Sequence, residues 1–482
     1  MIIPNRYYFF YIVTIAILVF LVLPFLIQEG MFMDGQQYAC VSRNLAEGNS
    51  SFWFPLLSQT WLMQGSHYFM EHPPLFYGVE SLFFKLFGSS FYTERIFSFT
   101  MLLFTALFIH LIWRLMADFI GANKSVSWFP VLIWIITPVC FWSYQNHMIE
   151  TLLSVLTMAS VFFALKGLFS QKNKVVFFIL SGAFIYCSFL TKGFPGLFPL
   201  VTVPLFYLTT KRINLKEAIF YTGIIVLTFV TIQLFISWLY PSSTESLKFY
   251  VSNRVINRIE MTSTINYRLF IMRDLVMEFL PSTLICLTLF YFSKRKNNSC
   301  HIDKGNKQMF FFMLFVGFSA SAPIMVTMVQ KNFYLVPSIP FFALALSFIN
   351  TKFLTEKMIL FTSIPQRVMA LNVGALILLS GVLIFSALQI GGISRDKSLI
   401  TDVKKIGSYV GKNKIISTNV DTYLNWGFQF YLLRYYNISL DPRTKENKFY
   451  VKATYGNSNF PEGAKKTGLV TTDYELRKLI SP

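Results

Sequence analysis

Six short stretches carry the groups that stand out from an otherwise apolar chain. They are MDGQQYA with Asp34, EHPP with Glu71 and His72, IETLLS with Glu150, TKG with Lys192, the loop around Arg258, and QKNFYLVPSIP with Lys331 and Tyr334. Two kinds of group recur among them: carboxylates, which accept protons, and cations with a phenol, which hold anions. A mixed set of this sort suits a reaction in which an anionic group departs while an attacking hydroxyl loses its proton. The chain has no Gly-rich phosphate loop, no zinc-spaced histidine pair and no nucleophile elbow. His67 and His147 stand apart from these stretches and are read as structural.

The elements that must position these groups are membrane helices. The chain is 54% apolar and 13% charged over 482 residues, which is not the composition of a soluble protein of that length. Eleven apolar stretches are long enough to be considered as spans: about 7–27, 96–116, 126–144, 150–169, 175–191, 195–210, 218–240, 276–292, 309–328, 333–350 and 368–389. The two at 175–191 and 195–210 are short and read as one broken or tilted pair. The first is too long for a signal-peptide core and lacks a small-residue cleavage site, so it reads as an anchor.

Basic residues in short loops set the orientation. One set of alternating loops holds Lys166, Lys172 and Lys174, then Lys211, Arg212 and Lys216, then Lys294, Arg295, Lys296, Lys304 and Lys307, then Lys352, Lys357 and Arg367. The opposite loops near 145–149, 191–196 and 329–332 hold only Lys192 and Lys331. The N-terminus is therefore expected inside, with Asp34 and everything after about 390 outside. The net charge of +19 sits largely in the inner loops, so topology accounts for it and no nucleic-acid partner is implied. Of five cysteines, Cys140, Cys187 and Cys286 fall in apolar stretches, Cys300 is expected inside and Cys40 alone outside, which gives no disulfide framework.

Three outer regions are more than connectors. In loop 28–95, Tyr38, Val41 and Leu45 share one helical face, and after Pro73 and Pro74 the run Leu75, Val79, Leu82, Phe83, Leu86 repeats at helical spacing. Both read as amphipathic helices lying in the membrane interface. Loop 241–275 holds Lys248, Arg254, Arg258, Arg268 and Arg273 against the positive-inside trend; these either snorkel to lipid phosphates or bind a specific anion. The tail from about 391 is polar: NKIISTN, NISLD and KFYVKATY read as strands, WGFQFYLLRYY and TDYELRKLI as helices. The expected architecture is an all-α polytopic membrane domain over 1–390, followed by a small α/β domain over 391–482 on the outer side.

In order and sidedness these stretches resemble the bacterial lipid-linked-sugar transferases of the GT-C fold, the group that holds aminoarabinose lipid A transferases and dolichyl-phosphate-mannose protein mannosyltransferases. The likeness covers roughly residues 5–350, with a looser one in the tail. MDGQQYA resembles the family's Asp-Glu-Ala-x-Tyr-Ala stretch after the first membrane helix, which implies a catalytic base at Asp34, with Gly35 in place of the second acid. EHPPLFYG resembles Glu-Lys-Pro-Pro-Leu-x-Tyr-Trp, with His72 where a phosphate-binding lysine is usual. IETLLS implies a second acidic position at Glu150. LTKG and FYLVPSIP imply phosphate contacts from Lys192 and Tyr334, beside Lys331, and STESLKFYVSNRVINRI implies one from Arg258. A histidine that binds metal together with Glu71 in some relatives falls on Asn253, so no cofactor is expected to be required.

Each residue also has a plainer reading. Asp34 begins a helix, where an N-cap aspartate is worth about 1 kcal/mol. Glu150 at a helix start complements the dipole, and Tyr334 suits an aromatic belt. Lys192, a charge beside the membrane with no acid nearby in sequence, is costly unless functional. The resemblance implies an inverting glycosyltransferase of the bacterial inner membrane. Its donor is an undecaprenyl-phosphate-linked sugar and its acceptor a lipid A-like lipid, a protein hydroxyl or a cell-wall glycan. The alternatives are a transporter or flippase of a lipid-linked sugar and a polysaccharide-binding structural protein. A transporter usually keeps ionisable groups at mid-membrane, whereas here they gather at outer boundaries.

Overall fold

The computed structural model describes residues 5–61, 66–256, 263–296, 302–455 and 459–479. Arg258 and Cys300 lie outside these residues. Two compact units make up the chain: Met1–Pro24 with Ser98–Leu388, and Phe25–Phe97 with Gln389–Pro482. The tail expected to stand alone beyond 390 thus forms one unit with the first outer loop.

The first unit is helical, and each of the eleven expected stretches lies mainly on helix, with breaks inside 126–144 and 333–350. Among the described residues, eight helices are long and apolar enough to cross a membrane, nine if a bent pair counts as one span. The bent pair is Lys124–Ile135 with Pro138–Gln145, which turn by 76°. Pro138 opens the second piece, where a missing N–H costs least. The stretch at 195–210 is a 3-10 turn, Phe194–Val201, leading into the helix Thr202–Thr210, whereas its expected partner Lys174–Lys192 is one continuous helix.

Hydroxyls inside these helices bond back to the preceding turn, as Ser154 does to Glu150 O at 2.8 Å and Ser347 to Ala343 O at 2.7 Å. Such bonds satisfy the side chain where no water competes. Enclosure differs sharply between helices. Two thirds of the apolar window of Glu150–Phe169 (67%) is buried, against 6% for Leu215–Leu239 and for Pro365–Ala387. Glu150 therefore begins the most enclosed of the eight candidate spans among the described residues.

The second unit holds a five-stranded sheet: β1 Ile415–Thr418, β2 Ser439–Asp441, β3 Phe449–Ala453, β4 Lys465–Lys466 and β5 Tyr474–Lys478, in the order β2-β1-β3-β5-β4. β1 runs parallel to β2 and β3, while β5 is antiparallel to β3 and β4. Helices Lys397–Val410 and Trp426–Tyr436 supply Ile400, Val403, Ile406, Phe428 and Leu432 to a core with Ile416, Leu440, Val451 and Leu476. Within TDYELRKLI, expected to be helical, Tyr474–Lys478 form the strand β5. Its burial alternates, with Tyr474 and Leu476 in the core and Glu475 and Arg477 outward. That period of two decides for strand once β3 offers a partner.

Helices Met33–Ala46 and Leu75–Phe87 form in the first outer loop as expected, the second directly after Pro74. The Ser42 hydroxyl joins them by donating to Glu80 Oε2 at 2.6 Å. Buried ions tie loop and tail together. Arg43 donates to Leu433 O and to Asn437 Oδ1, each at 2.8 Å. Glu94 accepts from Arg434 at 2.7 Å and from Arg95 at 3.1 Å, and all three side chains are nearly inaccessible to water. Burial alone would lower the Arg434 guanidinium pKa, but the Glu94 carboxylate outweighs that and raises it. Removing one member of such a set strands the others without a counter-ion. Glu94→Gln is expected to destabilise this unit by about 3–5 kcal/mol, read as earlier thermal unfolding and faster proteolysis of the tail; an unchanged melting profile would contradict it.

Candidate active site

Three of the residues singled out by sequence meet in the first unit. Glu150 is the first residue of helix Glu150–Phe169 and Lys192 the last of helix Lys174–Lys192, and the two side chains form a buried ion pair. The Lys192 ammonium lies 4.2 Å from the Tyr334 ring centre and 6.0 Å from that of Phe333. A cation held between a carboxylate and a ring face in a dry setting is attracted by both. Lys192, which has no acid near it in sequence, therefore has one in space. Only one carboxylate oxygen engages the lysine: Glu150 Oε2 is buried and makes no hydrogen bond among the described residues. The pair thus presents a buried acceptor at Glu150 Oε2.

The backbone around Lys192 follows from Gly193. That glycine ends the helix at φ 73°, a conformation unfavourable to other residues. A Cβ there would also stand 2.4 Å from the Tyr250 hydroxyl, which donates to Lys192 O at 3.2 Å. TKG is therefore a helix stop as much as a charged motif.

Tyr334 rides on the short turn Asn332–Leu335, and Lys331, just before it, is exposed. Gln330 anchors the turn: its Oε1 accepts from Ile271 N at 2.8 Å, and its Nε2 donates to Arg268 O and Thr327 O, both at 2.9 Å. Sequence reasoning missed a further brace. Glu278 accepts from Val139 N at 2.9 Å, at the start of helix Pro138–Gln145, and from Asn332 Nδ2 at 3.3 Å. It links the bend between two helices to the turn that carries Lys331 and Tyr334. Its partners lie some 139 and 54 positions away, so no local pattern pointed to it.

Asp34 and His72 both belong to the second unit. Asp34 is the second residue of helix Met33–Ala46, whose N-cap is Phe32, so the N-cap reading does not hold. Tyr38, one turn on, shares a helical face with Asp34. The His72 ring packs edge-on against Tyr38 at 6.0 Å, which puts the histidine on that side of the helix. His72 is buried and Glu71 half-buried. Cys40, on the same helix, is no candidate nucleophile, because burial pushes its thiol pKa up to about 11 despite Arg43 and Arg434.

A metal bound through Glu71 would need further ligands. Among the described residues no three histidine, cysteine, aspartate or glutamate side chains cluster in metal-binding geometry. Glu71 and His72 alone do not make up the three or four donors a transition metal takes from protein.

The chain is similar to known proteins in part of its sequence and in its fold. Residues 71–238, about a third of the chain, match the family model of dolichyl-phosphate-mannose-protein mannosyltransferase. That stretch includes Glu71, His72, Glu150 and Lys192. No curated protein matches the chain. Among solved structures, the chain is similar to ArnT from Cupriavidus metallidurans bound to undecaprenyl phosphate, at 14% identity, a TM-score of 0.63 and 97% coverage of either chain. The apo state of that protein gives a TM-score of 0.60 at 14% identity, covering 97% of this chain and 96% of that one. An oligosaccharyltransferase from Archaeoglobus fulgidus in the apo form gives 0.52 at 12% identity, covering 93% of this chain and 70% of that one. At such identities the likeness is one of fold.

Proposed function

We infer that this multi-pass membrane protein of GT-C fold is a glycosyltransferase that moves a sugar from undecaprenyl phosphate to a hydroxyl of the bacterial envelope. The observation that carries the reading is the buried Glu150–Lys192 pair under the Tyr334 ring, in a chain that shares its fold with an undecaprenyl-phosphate-bound protein. The ionisable groups stand at helix ends and in loops, where a lipid-bound headgroup is within reach. The N-terminus faces the cytoplasm and the reaction takes place on the opposite face of the inner membrane.

In the proposed reaction the acceptor oxygen bonds to the anomeric carbon while the bond from that carbon to the lipid phosphate oxygen breaks. The electron pair leaves with the phosphate, and the hydroxyl proton passes to Asp34. An alcohol does not ionise near pH 7, so a carboxylate within hydrogen-bond reach is needed as the bond forms. Arg258, Lys192 and Lys331 meet the charge that develops on the phosphate, with hydrogen bonds from Tyr334 and His72. Glu150 holds Lys192 and acts as the second acid. Direct displacement inverts the anomeric centre, so NMR of the product should show the configuration opposite to the donor's; retention would contradict this step. The acceptor is a lipid A-like lipid, a protein hydroxyl or a cell-wall glycan, which mass spectrometry of the envelope with and without the protein distinguishes.

Two further expectations follow from these roles. Arg258→Ala removes a charge-assisted bond to phosphate worth about 1.5–3 kcal/mol, so donor affinity should fall about 10- to 150-fold. Wild-type affinity in Arg258→Ala, with a loss in Arg254→Ala instead, would move the role to the neighbouring arginine. Turnover should also survive EDTA, because cations already neutralise the leaving phosphate and Asn253 is a poor ligand for a transition metal. Loss of turnover in EDTA that a divalent ion restores would place Glu71 in the catalytic set.

A further inference from the structure

The β4 end of the sheet carries a concentration of positive charge that the transfer reaction does not use. β4 pairs with β5 so that Lys465 stands opposite Lys478 and Lys466 opposite Arg477. Like charges directly opposite each other in a sheet repel. Beside them lies a cavity of about 590 Å³ lined by Lys452, Lys465, Arg477, Glu475 and Phe460. Its volume falls in the range of small-ligand sites. The Phe460 ring forms its aromatic wall: the Arg477 guanidinium lies 3.8 Å and the Lys452 ammonium 4.9 Å from the ring centre, and Tyr450 packs edge-on at 5.8 Å. Glu475 neutralises part of the charge through a 2.8 Å bond from Arg477 Nε, which leaves the lining net positive.

We propose that this cavity binds an anionic saccharide, one bearing carboxylate or phosphate groups. Lysines on an edge strand also guard against pairing with another sheet, and that would explain β4 alone. It does not explain Lys452 and Arg477, which belong to β3 and β5 inside the sheet and line the concavity. An oxyanion there meets Lys452, Lys465 and Arg477, whose charge Glu475 offsets only in part, and it matches the planar fork of Arg477. A saccharide fits better than a membrane surface, because the cations gather in one open concavity around the Phe460 ring. The site is independent of donor and of catalysis, so its existence does not depend on the transferase reading.

The test uses the full chain in nanodiscs of phosphatidylcholine, without donor, titrated with tetragalacturonate and with maltotetraose. The acidic tetrasaccharide should bind, more weakly as salt rises, and the neutral one should not. Lys465→Glu should weaken that binding by about tenfold or more. The same change replaces a like-charged pair with an opposite one across from Lys478, so the unfolding temperature should hold or rise. Loss of affinity without loss of stability is the signature of a site. Equal binding of both sugars, or acidic binding unchanged in Lys465→Glu, would overturn the proposal. So would loss of acidic-sugar binding on moving the wild type into phosphatidylglycerol nanodiscs, since the face would then be docked on anionic lipid.

Discussion

Asp34→Asn is expected to lower turnover by about 10²–10⁴-fold, the range of a positioned general base, while donor binding stays near wild type. The amide keeps the volume of the carboxylate but cannot take a proton at neutral pH. Two observations make the substitution clean. Asp34 follows the N-cap at Phe32, so it is not the residue that caps the helix. The helix also stays tied to the rest of its unit by the Ser42–Glu80 and Arg43–Leu433 hydrogen bonds. A loss of activity with an unchanged melting profile would therefore report chemistry rather than folding. Near-normal turnover in Asp34→Asn would move the base to another carboxylate, with Glu150 the first to examine.

The Glu150–Lys192 pair allows stability and catalysis to be separated. Lys192→Met leaves the Glu150 carboxylate buried without its partner, a loss expected to cost about 3–5 kcal/mol as well as turnover. In the double variant Glu150→Gln/Lys192→Met both charges are gone, and most of the stability should return, since a neutral buried pair costs less than a broken ionic one. Turnover should not return, because neither the cation for the phosphate nor the second acid is present. A thermal-shift series run beside a transfer assay on both single variants and the double variant measures the coupling. If the double variant regains activity together with stability, the pair is a structural brace and the phosphate is held elsewhere.

Much of this was legible in the sequence. The helices were readable because apolar runs of sufficient length have few alternatives, and Pro74 marks a start from either side of the comparison. The grouping of Glu150, Lys192 and Tyr334 was anticipated only as a shared boundary; their direct contact depends on helix packing that no spacing in the chain encodes. Other features depend wholly on partners distant in sequence. Glu94 draws its meaning from Arg434, some 340 positions away, and Glu278 from Val139 and Asn332. β5 was misread because TDYELRKLI suits a short helix by composition, and pairing with β3 outweighs that local preference. The tail could not be assigned to the same unit as the first outer loop, because what joins them, buried arginines and a Trp61–Trp426 ring contact, pairs residues far apart in the chain.

The most direct test of the central claim is to incubate the purified chain with undecaprenyl phosphate carrying a labelled sugar, with and without an envelope acceptor fraction, and to follow the lipid product. The account predicts that free undecaprenyl phosphate appears only when acceptor is present, that the label passes to the acceptor in equal amount, and that Asp34→Asn abolishes both. Donor that stays intact with every acceptor fraction, while the labelled lipid crosses the bilayer of a reconstituted vesicle, would contradict the account and identify a carrier of lipid-linked sugar instead.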